Sequence, residues 1–326
     1  MVLSLTLHLP NLIDPRSYDL PEPVKLPGCV PVRGSDLPDS LQGRTNQEAY
    51  KGGMQMCKKY LSADGILVND FLDLEPDIYK AFEEDGKLPP IYPVGPLVRS
   101  GSSKDNECLK WLDEQPDGTV LYVSFGSGGT LSSEQLKELA LGLEMSEQRF
   151  LWVVKSPHDE ARNATYFTID EKEEMDRFEF LSTDFMNRTK GKGFLLAQWA
   201  PQIEILAHRA VGGFVTHCGW NSVLESIVHG VPIIAWPLFA EQRMNAVLLR
   251  DDLKVALRVR ENEDGIVDSE QIAKLAKSLI KGKEEKGIEI RNRIVSLKGA
   301  AAQALTKDGY STKSLAKVIG KWISVE

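Results

Sequence analysis

What most constrains this chain is an alternation. Six short apolar runs recur at residues 120–125, 150–154, 194–197, 213–217, 231–236 and 255–259, with helical segments between most of them. The runs are continuous rather than alternating apolar with polar, as in strands covered on both faces. Leu136, Leu139, Ala140 and Leu143 share one helix face, and Ile272, Leu275, Ala276 and Leu279 repeat the spacing. Ser132 with Gln135 suits a capping box, and Asp268 or Ser269 suits an N-cap. Strands alternating with helices predict an α/β unit with a parallel, doubly wound sheet from residue 98 to about 300.

The first 97 residues read differently. They are irregular, with a helical stretch near 46–60, one clear strand at 65–71, and an extended linker at 88–97 carrying four prolines. At the start, Leu3, Leu5, Leu7 and Leu9 alternate with polar residues, which reads as a strand. Residues 155–179 are highly charged and aperiodic, and are expected to be a solvated loop. A C-terminal helix at 311–323 carries Leu315, Val318, Ile319 and Trp322 on one face, a stripe expected to pack into the core.

Composition narrows the function. With 326 residues the chain is long enough for two domains. Its net charge of −8 and the lack of any basic block argue against nucleic acid or anionic membranes as partners. No apolar stretch is long enough to span a bilayer. The N-terminus lacks the basic start and cleavage site of a signal peptide. Four cysteines, none in a C-x-x-C pair, fit a reduced cytoplasm.

Chemistry should gather beyond the carboxyl ends of the strands. One such end reads "THCGWNSVLES" and leads into a helix at about 222–229, closed by Gly230. A helix N-terminus offers free N–H groups and a positive dipole end, so His217, Gly219, Asn221 and Ser222 suit an anion cradle. Ser222 and Glu225 equally suit a capping box. His217 beside Cys218 also admits a metal or nucleophile reading, and Trp220 a core role. A second end, "SFGSGG", offers Ser127 as a phosphate donor, or is an ordinary turn. It is neither G-x-G-x-x-G nor a Walker A loop, which counts against a nicotinamide enzyme. A third, "QWAPQ", places Trp199 to stack on a base or to fill the core. A fourth carries Glu241 and Gln242, which suit sugar hydroxyls or a solvated helix start.

From Trp199 to Gln242 the chain reads "WAPQIEILAHRAVGGFVTHCGWNSVLESIVHGVPIIAWPLFAEQ". This resembles, without a gap, the signature box of the plant secondary-product UDP-glycosyltransferases (family 1). The flanking "YPVGPL", "CLKWLDEQPDGTVLYVSFGSGG" and "RFLWVV" resemble their hydroquinone glucosyltransferase (arbutin synthase) subgroup. The resemblance implies a GT-B fold of two Rossmann-like domains, here residues 1–97 (with linker) and 98–326, the last helix returning to the first domain. It implies an inverting, metal-independent and cofactor-free O-glucosyltransferase, with UDP-glucose as donor and a small phenol as acceptor, acting as a cytoplasmic monomer. Trp199 would stack on uracil, with the Ala200 backbone and Gln202 reading the base and ribose. Glu225 would accept the ribose hydroxyls. His217, Asn221, Ser222 and Ser127 would hold the diphosphate. The Trp220 backbone, Glu241 and Gln242 would hold the sugar. Many relatives carry Asp where Glu241 stands, which keeps the charge and lengthens the reach.

One departure is plain. The family's catalytic His, and the Asp that orients it, should lie on an early βαβ run with a glycine-rich turn. This chain shows no such run. Its start, "LSLTLHLPNL", which holds His8, resembles a different family segment, the helix tail just before the long mid-domain loop, and this conflicts with the strand that its alternation suggests. The expectation is therefore an incomplete N-terminal domain, a donor half without its general base, and as an alternative a non-catalytic UDP-sugar-binding fragment or partner of full-length homologues.

Overall fold

A computed structural model of the protein describes residues 1–12, 20–42, 47–99, 106–159, 164–166, 178, 180–197, 199–281 and 285–323. Of the two readings of the start, the helix expected from the resemblance is the one found and the strand suggested by the alternating leucines is not: Val2–Leu12 is a helix, α1. Ser4, Leu5, Leu7, His8 and Leu9 are all buried there. These buried residues spread over a wide arc of the helix and include polar Ser4 and His8, so no narrow apolar stripe marks its period in the sequence. Helix α2 (Gln47–Leu61) packs against it, followed by strand β1 (Ile66–Val68), helix α3 (Pro76–Asp85) and strand β2 (Ile91–Pro93). β1 and β2 pair in parallel, so the expected linker contains a strand. Among the described residues its one ladder partner is β1, and a strand with a free edge tolerates proline.

The remaining elements are α4 (Glu107–Asp113), β3 (Val120–Ser124), β4 (Gly129–Leu131), α5 (Ser133–Ser146), β5 (Arg149–Val154), β6 (Ala164–Tyr166), α6 (Thr183–Arg188), β7 (Gly193–Ala197), α7 (Gln202–Ala207), β8 (Val211–Thr216), α8 (Trp220–His229), β9 (Ile233–Ala235), α9 (Gln242–Val247), β10 (Ala256–Arg258), α10 (Ser269–Lys281), α11 (Glu285–Ala304) and α12 (Tyr310–Ile323). All six apolar runs are strands of one parallel sheet, ordered β10-β9-β8-β3-β5-β7. Counted along the chain this is 6-5-4-1-2-3, the doubly wound order, with its reversal between β3 and β8.

Helices cover both faces, as continuous apolar strands require. On one side Leu121, Val123 and Val215 pack with Leu139 of α5 and Ile272 and Leu279 of α10. On the other, Tyr122 and Phe214, stacked with ring centroids 4.9 Å apart, pack with Leu112 of α4 and Ile205 of α7. Only half of the capping box at α5 forms. The Ser132 hydroxyl accepts from Gln135 N at 3.2 Å, but the Gln135 amide exchanges two hydrogen bonds with the Val267 backbone.

Two further expectations change. Within the charged stretch 155–179, β6 pairs antiparallel with β4, so part of it is strand; residues 160–163, 167–177 and 179 lie outside the described residues. α12 packs on β2, but through Ser311, Ser314 and Val318. Val318 meets Tyr92 and Val94, and Lys321 Nζ donates to Tyr92 Oη at 2.8 Å. Trp322 is 67% exposed, and Leu315 and Ile319 are exposed too, so the apolar stripe does not dock as a unit. The two small serines allow close approach on the neighbouring face instead.

Candidate functional site

The strand order reverses between β3 and β8, and in a doubly wound sheet connections that run away in opposite directions leave a crevice beyond the carboxyl ends at such a point. The loop after β3 and the turn after β8 meet at His217. A Cβ added to Gly126 would lie 2.4 Å from its Cε1, and one added to Gly219 would lie 2.4 Å from its Nε2. Only glycine fits at either place, and Gly126 is also left-handed, with φ +73°. Burial, then the positive charge of Lys155, lowers the His217 pKa to about 4. The imidazole is neutral near pH 7. Ser127, in the same loop after β3, is exposed.

α8 starts at Trp220, two residues earlier than expected, because Gly219 is its extended N-cap (φ −61°, ψ 139°). The first-turn N–H groups of Trp220, Asn221 and Ser222 have no helical carbonyl to bond, and they form the positive end of the dipole. Ser222 and Glu225 do not form a capping box. Gln202 Nε2 donates to Ser222 Oγ at 3.0 Å and to Glu225 Oε2 at 2.6 Å, while Gln202 Oε1 accepts from Tyr122 Oη at 3.3 Å. One amide at the start of α7 thus gathers two side chains of α8. Burial raises the Glu225 pKa, and the bond from Gln202 opposes it. Cys218 is buried with its thiol pushed up to about 12, mainly by burial, which removes it as a nucleophile.

Trp199 does not fill the core. It is 70% exposed at the end of β7, beside buried Ala200 and three residues before Gln202. The Trp220 indole ties two parts of the chain together, since its Nε1 donates to Asn69 O, just past β1, at 2.7 Å. Gln242 is buried, and its Oε1 accepts from Leu238 N at 2.8 Å and Phe239 N at 3.0 Å, shaping the turn before α9. Glu241 opens α9 and lines a cavity of 520 Å³ with Trp220, Leu5, Leu9, Met56 and Cys57 among its other walls. No described histidine lines it. His8 faces elsewhere: Nδ1 bonds Ser4 O at 2.8 Å, and the ring stacks on Phe82.

Sequence reasoning missed three residues. Asn245 Nδ2 donates to Cys218 O at 2.9 Å and pins the His217 turn to α9; its signal was its place one helical turn past Gln242. Asn69 and Lys155 carried no local signal. Their partners Trp220, Gly126 and Ser127 lie far away in sequence. Among the described residues no group of three His, Cys, Asp or Glu side chains is placed to hold a metal ion. Among them, too, no helix is long and apolar enough to cross a membrane.

Comparison with known proteins adds a second line of evidence. The family model described as UDP-glucoronosyl and UDP-glucosyl transferase matches residues 90–288. Hydroquinone glucosyltransferase of Rauvolfia serpentina is 54% identical, over 99% of this chain and 69% of its own length. UDP-glycosyltransferase 72B1 of Arabidopsis thaliana is 54% identical, over 98% of this chain and 68% of its own. Among solved structures, UGT2 of Phytolacca americana, complexed with UDP-2-fluoro-glucose and pterostilbene, has a TM-score of 0.87 at 49% identity, covering 98% of this chain and 69% of that one. A UDP-glucosyltransferase of Polygonum tinctorium capable of glucosylating indoxyl has a TM-score of 0.88 at 46% identity, covering 99% and 68%.

Proposed function

Given that this chain belongs to the UDP-glucoronosyl and UDP-glucosyl transferase family and has the GT-B type of fold, we propose that its crevice binds UDP-glucose for inverting transfer to a small phenol. The observation that carries this reading is the junction of two loops on His217 at the sheet's reversal, against the start of α8. There the diphosphate meets first-turn N–H groups, Asn221, Ser222 and Ser127, with neutral His217 as a further hydrogen-bond partner. Trp199 stacks on uracil, and the Ala200 backbone with Gln202 reads its edge and the ribose. Glu225, already held by Gln202, accepts the ribose hydroxyls. Glu241, Gln242 and the Trp220 backbone hold the hexose.

The 520 Å³ cavity between α1, α2 and α9 starts where Glu241 stands, and its largely apolar walls suit an aromatic acceptor. In the transfer the acceptor oxygen attacks C1, the bond from C1 to the β-phosphate oxygen breaks, and its electron pair leaves with UDP. The acceptor's proton needs a general base. None of the described histidines lines the cavity, so we assign no residue of this chain to that role. That observation favours a second reading beside the first, in which the polypeptide binds UDP-sugar without turning it over, or acts as a partner of full-length homologues. A monomeric, cytoplasmic setting completes the proposal.

Calorimetric titration with UDP, paired with a glucosylation assay on hydroquinone, tests both readings. The expected result is saturable UDP binding with little transfer. No UDP binding would remove the donor site, and efficient transfer would remove the non-catalytic reading.

A further inference from the structure

Lys155 is the first residue after β5, at the crevice end of the sheet, and none of the roles above uses it. Lysines at strand ends ordinarily extend their charge into water. This one turns inward. Its ammonium donates to Gly126 O at 2.5 Å and to Ser127 O at 2.6 Å, so the stem crosses from β5 to the loop after β3. That loop is one lip of the crevice. The other lip also feels the charge, because Lys155 is the second cause, after burial, of the lowered His217 pKa. No carboxylate figures among the causes of either residue's shift. Among the described residues its hydrogen-bond partners are these two carbonyls, and a half-buried cation so held is an expensive arrangement unless an anion joins it.

Resting on the donor-site reading, we propose that Lys155 is the cation of the diphosphate subsite, held on the carbonyls of Gly126 and Ser127 and placed to offset the charge of the bound phosphates. Neutral His217 and the first turn of α8 supply hydrogen bonds and a partial charge; Lys155 supplies a full one. The rival explanation is that Lys155 only ties β5 to the loop. Lys155→Gln separates the two, because a glutamine amide still donates to carbonyls but carries no charge. Lys155→Arg keeps the charge.

The experiment is calorimetric titration of uridine and UDP into the wild-type chain and both variants. A charge contact predicts UDP affinity about tenfold weaker in Lys155→Gln, uridine affinity unchanged, and Lys155→Arg close to wild type. A second measurement needs only a charged control. Burial brings the Lys155 pKa down to about 8, so wild-type UDP affinity should fall between pH 7 and 9. It should stay flat in Lys155→Arg, whose guanidinium does not titrate there. Of the nearby titratable groups, His217 with its pKa near 4 and Cys218 near 12 stay out of that window. Equal UDP affinity in Lys155→Gln, or a parallel loss of uridine, overturns the inference while leaving the donor site standing. A wild-type chain that binds no UDP overturns the donor site itself, and this inference with it.

Discussion

His217 is gripped from both sides by residues without side chains, and that makes its position fragile. Gly219 has ordinary backbone angles, so in Gly219→Ala the fault is purely steric: the new methyl meets Nε2. We expect a stability loss of about 1–3 kcal/mol from overpacking. UDP affinity should fall at least about tenfold as the ring is displaced. Denaturant titration and calorimetry check the two effects. The same ring sets a pH dependence. Its folded pKa of about 4 lies below the unfolded value near 6.5. The unfolded chain therefore takes up the proton first, and stability drops as pH falls from 6.5 towards 4, by up to about 3 kcal/mol. In His217→Asn that part of the acid sensitivity should vanish from urea midpoints measured at pH 7 and 4.5. Trp199 behaves oppositely. At 70% exposure its removal costs the fold little. Trp199→Ala should leave the melting temperature within about a degree, since surface changes are usually small. It should weaken UDP by the roughly 1–3 kcal/mol of a base–aromatic stack. At this scale the place of residues 216–222, between the end of β8 and the start of α8, was legible from the apolar run before them and the helix after. Asn69 and Lys155 were not, since nothing local marks a side chain whose partner arrives through the fold.

Helix α7 has six residues, yet its first side chain organises its neighbour. Gln202→Ala would leave Glu225 and Ser222 without their donor. The cost should be about 1–2 kcal/mol for lost bonds to partly buried groups, read from denaturant midpoints, and Glu225→Gln in the same background should recover part of it by removing the unpaired charge. Elements were legible where burial is symmetric. The six strands announce themselves because a two-sided sheet needs unbroken apolar runs. The errors fall where the sequence pattern has two physical causes. Alternating leucines fit a strand and equally a helix buried over a wide arc, as α1 is through Leu5, Leu7 and Leu9. Four prolines mark a linker, yet three of them flank the short strand β2 and only Pro93 lies within it. Ser222-x-x-Glu225 fits a capping box, and equally two residues one turn apart facing Gln202.

Across the whole molecule the N-terminal segment is tied to the large sheet at scattered points. Asp36 pairs with Arg258, Asp39 with Arg243, and the Trp220 indole bonds Asn69 O. α12 adds a clasp on β2 through Val318 and Lys321. Removing residues 310–323 should uncover Tyr92 and Val94. The loss of buried apolar area should lower stability by roughly 2–4 kcal/mol, seen as a lower melting temperature, with UDP affinity retained because the crevice lies at another sheet. A ligand at hundredfold its Kd should add about 2.7 kcal/mol to the folded state.

Ser124 and Thr216 are register partners at the sheet's centre although a large part of the chain separates them. A nucleotide spanning the loops that follow them acts as a stitch across the molecule's main seam. The strands wound outward on either side cannot part without first tearing it, so occupancy should slow amide exchange throughout β3 and β8 together, well beyond the atoms it touches.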